Sequence, residues 1–312
     1  MRNLIASCAL ALAALGCLHA AQPGPAKFDG NRAYEDVRQL VAIGTRVAGT
    51  PGAQAARDYI RKQLAQAGVT VEEQAFEATT PLGRVKMVNL RATLPAAQGR
   101  ATASPAPPGP RLVIGGHYDT KLFKNFTFVG ANDGGSSAAF LIELGRALKA
   151  RPNPVPIELL FLDGEEAVVD WQGQDHTYGS RYYVDAARKA GTLKDIKAFI
   201  LVDMIGDRDL VIKREGNSTP SLIEAIWSAA KRLNRREFVD EIYPVEDDHL
   251  EFLAAHVPSV DLIDLEYYTR SGEMAWHSPH DTLENVAAGS LQAVGDVLLG
   301  ALPALEMSGG RD

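Results

Sequence analysis

Acidic and imidazole side chains recur at the ends of apolar runs in this 312-residue sequence. The clearest case is IELLFLDGEE, residues 157–166, where a run with the pattern of a strand covered on both faces ends in Asp163, Glu165 and Glu166. A lone Glu-Glu pair reads as a solvated acidic turn. Acids packed together at the end of a buried strand repel one another, and that arrangement calls for a cation.

Four further segments supply the same kinds of side chain. VIGGHYDT carries His117 and Asp119, and VGANDGGSS places Asp133 in a glycine-rich turn before a helix. LVDMIG carries Asp203, and AWHSPHDT carries His277 and His280. Each alone has an ordinary explanation, either a hydrogen-bonded structural histidine or an aspartate making a turn. Together they fit a hard or borderline divalent cation, with zinc the best match. Cys8 and Cys17 are the two cysteines, both near the N-terminus, so the ligands must be histidine and carboxylate.

These residues need a scaffold that brings them together. Two amphipathic helices are expected first, one with Val37, Leu40 and Val41 on a face and one with Ala56, Tyr59, Ile60 and Leu64. Two strands follow, VTVEEQAF and VKMVNLRATL, then a Pro- and Ala-rich surface loop at residues 95–111. From Arg111 onward strands and helices alternate, which predicts an α/β fold: a three-layer α/β/α sandwich with a mostly parallel central sheet. In such a sheet, strand C-termini converge on one crevice, where ligands bind.

Composition bounds the rest. The chain is 46% hydrophobic with a net charge of −7, which suits a substantial core and gives no electrostatic case for nucleic acid. Residues 1–21 read as a secretory signal peptide with cleavage near Ala20, directing a secreted or periplasmic protein. ALGC, ending at Cys17, is the alternative: a lipobox that would anchor the chain by lipid. Residues 22–30 read as a tether and residues 31–312 as the catalytic domain. No second apolar run looks long enough to span a bilayer, and oligomeric state has no signature in the sequence.

The order H-x-D, N-D-G, E-E, V-D and H-S-x-x-D-T resembles the zinc aminopeptidase and glutaminyl cyclase superfamily, over roughly Asn31 to Leu305. The resemblance implies that Asp133, Glu166 and His277 hold zinc and that Glu165 is the general acid/base. It makes His117 and Asp203 the extra ligands of the two-zinc peptidases, with Asp133 bridging.

Three features point to the cyclase branch. Twelve residues, Ala167 to Tyr178, separate the glutamate pair from Gly179-Ser180, and this insertion resembles the cyclase loop whose pocket tryptophan is matched by Trp171. Asp247 stands where peptidases usually carry serine, and the resemblance pairs it with Asp203 through a hydrogen bond. Trp276 directly precedes His277, as in the cyclases. The sequence departs from the animal cyclases at Asp261, where they carry histidine, and at Gly116 and Ala138, where they carry a disulfide. The resemblance therefore implies a one-zinc glutaminyl cyclase acting on peptides with N-terminal glutamine. The alternatives are a two-zinc aminopeptidase and a binding domain that kept the fold without catalysis.

Overall fold

The computed structural model describes residues 27–97 and 109–307. The expected signal segment and most of the tether lie outside the described residues, as does most of the Pro- and Ala-rich loop.

Two helices open the fold, α1 (Gly30–Ile43) and α2 (Pro51–Gln66). The Asp29 side chain caps α1 by accepting from the Asn31 and Arg32 amides. Phe28 is buried, its ring 4.8 Å from that of Phe140, so packing begins slightly before the domain start expected at residue 31.

An antiparallel pair follows, β1 (Val71–Thr80) and β2 (Gly83–Leu94). The alternating units are β3 (Arg111–His117), α3 (Gly135–Lys149), β4 (Ile157–Leu162), α4 (Tyr178–Lys189) and β5 (Ile196–Asp203). The chain continues through β6 (Ile212–Glu215), α5 (Pro220–Arg232), β7 (Phe238–Tyr243), α6 (His249–Ala254), β8 (Ser259–Ile263) and α7 (Ala288–Met307).

The six-stranded sheet has the order β1-β2-β4-β3-β5-β8, and β4, β3, β5 and β8 run parallel. This is the mixed α/β architecture with a mostly parallel sheet that the alternation predicts. β3, β4 and β5 are buried almost throughout, which explains their nearly continuous apolar runs. One sheet face packs into a large core with α1, α2, α3, α5 and α7. The other packs a smaller one through Tyr183 and Val184 of α4 and Phe252 of α6. The order reverses at β3, with β4 on one side and β5 on the other, so the C-terminal end of β3 is the topological switch point.

One small sheet is added to the expected scaffold, and one expectation is corrected. β6 and β7 pair in a separate two-stranded parallel sheet that the sequence pattern does not announce, because both are short and β7 is mostly exposed. α7 is, by length and composition, long and apolar enough to cross a membrane. Its apolar surface is used instead in the core, where Leu291, Val294, Leu298 and Leu302 are fully buried.

Candidate active site

His117 ends β3, Asp203 ends β5, and Glu165 and Glu166 follow β4 by a few residues, so three adjacent strands deliver four of the expected side chains. Asp133 arrives from the turn that opens α3. His277 comes from the loop between β8 and α7, and Asp247 from the segment between β7 and α6.

Asp133 lies at the centre. Its Oδ1 is 3.2 Å from His117 Nε2 and its Oδ2 is 3.3 Å from His277 Nε2. Glu166 Oε1 is also 3.3 Å from His277 Nε2, and Asp203 Oδ1 is 3.1 Å from His117 Nε2. Two sets of potential ligand atoms result, Asp133–Glu166–His277 and His117–Asp133–Asp203, each with its atoms within 4.8 Å of one another. Asp133 Oδ2 and Glu166 Oε2 are buried without a hydrogen-bond partner. Buried acceptors left unpaired beside a histidine fit a cation in the first set, and a carboxylate-and-imidazole donor set suits zinc.

Electrostatics carry the same message. Burial pushes Glu165 well above the usual carboxylate range. His117 opposes that shift, while Asp247, Glu166 and Asp248 add to it. Burial also raises Glu166, reinforced by the charge of Asp133. For Asp133, burial is outweighed by His117 and His277, which hold it below the usual range. His277 rises to about 10 against the effect of burial, because Asp133 and Glu166 face its Nε2. So many acids around two imidazoles need positive charge, from a proton or a metal ion.

The backbone fixes these groups from behind. Asp119 accepts from the amides of both Glu165 and Glu166, and Asp281 accepts from those of Asn132 and Asp133. Arg46, fully buried, donates to the carbonyls of Tyr118, Val129 and Gly130 at 2.8, 2.6 and 2.9 Å. Gly134 has φ +71°, and a Cβ there would come within 2.4 Å of the Asp119 carbonyl oxygen. His277 and Met204 take left-handed conformations, φ 51° and 46°, unusual for such residues.

A cleft of 410 Å³ opens onto this cluster, lined by Asp133, Glu165, Glu166, Asp203, Asp247 and His277. Trp171 and Trp276 stand in its walls. The indole of Trp276 stacks on His277 with ring centroids 4.3 Å apart, and that of Trp171 on His176 at 4.2 Å. Asp175 accepts from the amides of Val168, Val169 and Asp170 and from the Tyr178 hydroxyl, so the insertion holds its own shape. Trp171 Nε1 reaches across to Glu246 at 3.3 Å.

Three expected details are different. Asp203 and Asp247 share no hydrogen bond. Asp203 Oδ1 accepts instead from Ser137 and the Met204 amide, and Asp247 Oδ1 accepts from the Asp248 amide. Asp247 still senses its neighbour: burial raises its carboxyl well above the usual range, and the charge of Asp203 adds to it. Asp163 turns out of the cleft toward the Val88 amide and Arg57. His280 is exposed in a different surface cavity. Sequence reasoning did not find Lys121, which lines the cleft with Nζ 3.8 Å from Glu166 Oε2, or Arg46, whose role depends wholly on tertiary contacts.

The family model described as Peptidase family M28 matches residues 99–302. Glutaminyl-peptide cyclotransferase from Boiga dendrophila is 31% identical, over 86% of this chain and 79% of its own length. Among solved structures, an Acidobacteriales bacterium glutaminyl cyclase superposes with a TM-score of 0.82 at 38% identity, covering 93% of this chain and 98% of that one. Porphyromonas gingivalis glutaminyl cyclase gives 0.77 at 27% identity, covering 89% and 98%. By the reach of the family match and the identity to these relatives, the chain belongs to Peptidase family M28, alongside the glutaminyl-peptide cyclotransferases.

Proposed function

We propose that this protein is a zinc-dependent glutaminyl-peptide cyclotransferase that converts N-terminal glutamine of peptides to pyroglutamate and releases ammonia. The observation that carries the reading is the single cleft in which Glu165 stands beside the Asp133–Glu166–His277 set under two tryptophans. Similarity to named cyclotransferases supports the same activity.

One zinc ion per chain, held by Asp133, Glu166 and His277, would polarise the γ-carbonyl and stabilise negative charge developing on its oxygen. The substrate's α-amine attacks its own γ-amide carbon. A C–N bond forms, the bond to the amide nitrogen breaks, and ammonia departs. Glu165 takes the proton from the attacking amine and returns it to the leaving nitrogen, a role served by a carboxylate whose pKa burial has raised. Asp203 and Asp247 act behind Glu165 as a close pair of acids. Trp171 and Trp276 hold the glutamine side chain curled, and restricting a flexible chain is what speeds ring closure. The N-terminal segment suits export, to a secreted or periplasmic location or to a lipid anchor at Cys17.

The deciding experiment runs Gln-Ala and Leu-p-nitroanilide in parallel, following ammonia and nitroaniline. Ammonia from Gln-Ala with negligible nitroaniline is expected. Faster nitroaniline release would replace the cyclase with an aminopeptidase.

A further inference from the structure

Trp171 stands at the loose end of its insertion. Gln172, Gly173 and Gln174 beside it are exposed, and a Cβ added at Gly173 would meet nothing within 4 Å. Two contacts hold the indole. Nε1 donates to Glu246 Oε2 at 3.3 Å, a long and exposed hydrogen bond that is too weak to fix a bulky ring by itself. The other contact is the imidazole of His176, which lies flat on the indole with ring centroids 4.2 Å apart and planes 7° from parallel. Trp171 lines the metal cleft and His176 does not, so the imidazole backs the indole from outside the cleft.

His176, unlike Trp171, is anchored on every side. Its carbonyl accepts from Arg181 Nη2 at 2.7 Å, and its Nδ1 lies 3.1 Å from Thr177 Oγ1. The preceding residue is Asp175, which collects the amides of Val168, Val169 and Asp170. The amide of the following residue, Thr177, donates to the Glu165 carbonyl at 2.8 Å. The imidazole is thereby placed in register with the backbone of the proposed acid/base. Burial and the charge of Arg181 lower its pKa, against Glu246, Glu251 and Asp175, so the ring that meets the indole is a neutral one.

We propose that His176 is a positioning residue: its ring, stacked behind Trp171, holds the indole in the orientation that receives the curled glutamine side chain. The inference rests on the cyclisation reading and deepens it. An indole without its backing must be ordered again each time substrate binds, and that cost falls equally on the ground and transition states. Loss of the stack therefore shows in KM rather than in kcat.

Ammonia release from Gln-Ala by the parent, His176→Ala, His176→Ser, His176→Phe, Trp171→Ala and the double variant Trp171→Ala/His176→Ala tests this. The two variants without a ring should raise KM about fivefold, with kcat and zinc content unchanged. His176→Phe keeps a flat neutral ring and should stay within about twofold of the parent. In the Trp171→Ala background, His176→Ala should cost nothing more, because the group it positions is gone. An unchanged KM in both ringless variants, a loss confined to kcat, a Phe variant as impaired as the Ala variant, or an undiminished loss in the double variant would each overturn the positioning role and leave cyclisation standing. No ammonia from the parent would overturn the cyclisation reading, and the positioning role with it.

Discussion

Glu165 and Glu166 are neighbours in the chain, yet their carboxylates face different imidazoles: Glu166 Oε1 lies 3.3 Å from His277 Nε2, and Glu165 Oε2 lies 3.8 Å from His117 Nδ1. One carboxylate joins the proposed ligand set while the other stands free to move a proton. Glu165→Gln should keep zinc and lose activity about a hundredfold or more. Glu166→Gln should lose zinc. Metal content and turnover of the two purified variants check this, and equal loss of metal from both would sink the division of roles.

A second tightly held zinc is not expected. Asp203 Oδ1, the atom nearest His117, already accepts from Ser137 Oγ at 3.2 Å and the Met204 amide at 2.8 Å. Metal analysis of fully active protein should give one zinc per chain. His117→Ala should retain that ion, whereas Asp133→Ala and His277→Ala should not. Two ions surviving dialysis in active protein would contradict the assignment.

Trp171 belongs to an insertion that Asp175 ties to itself, so removing the indole should empty the wall without collapsing the loop. Trp171→Ala forfeits an aromatic contact worth about 1–3 kcal/mol, and kcat/KM for cyclisation should fall roughly ten- to a hundredfold. Zinc content should not change. A variant as active as the parent would remove Trp171 from the substrate pocket.

Stability should depend on pH through Asp248. Burial raises its carboxyl to about 7 from an ordinary 3.8, with Ser180 pulling the other way. A raised acid favours the folded state while protonated. Its contribution is complete below the unfolded pKa and is lost as pH rises from about 4 through about 7. Asp248→Asn cannot ionise, so the fall in Tm between about pH 5 and pH 8 should be shallower than in the parent at saturating zinc. Parallel Tm profiles would show that this carboxyl does not titrate as described.

Much of the scaffold is legible in the sequence because strands buried on both faces have no polar alternation to obscure them. The runs ending at His117, Leu162 and Asp203 are of this kind. β6 and β7 escape because short, partly exposed strands carry little periodic signal. Most of the candidate ligands are recognisable as a set, since His117 and Asp203 end strands, Glu166 closely follows one and Asp133 precedes a helix, whereas His277 lies in a long loop and is legible only through its motif. Asp119 and Asp281 were visible as motif letters, but nothing in a motif says that a carboxylate will collect two backbone amides. The Asp203–Asp247 hydrogen bond is absent for a local reason: Ser137 and the Met204 amide donate to Asp203 Oδ1, and the Asp248 amide donates to Asp247 Oδ1.

Arg46 has a bearing on where the smallest autonomous catalytic unit begins. The family match starts at residue 99, but the guanidinium that ties down the Tyr118, Val129 and Gly130 carbonyls comes from the connection between α1 and α2. Truncation to the matched segment would strand these acceptors, at about 1–3 kcal/mol for each one that stays buried, and would strip β2 from the edge of β4. The N-terminal helices and hairpin are therefore part of the catalytic body. An expression fragment meant to fold alone must reach back at least to Phe28, the first of the described residues packed into the core.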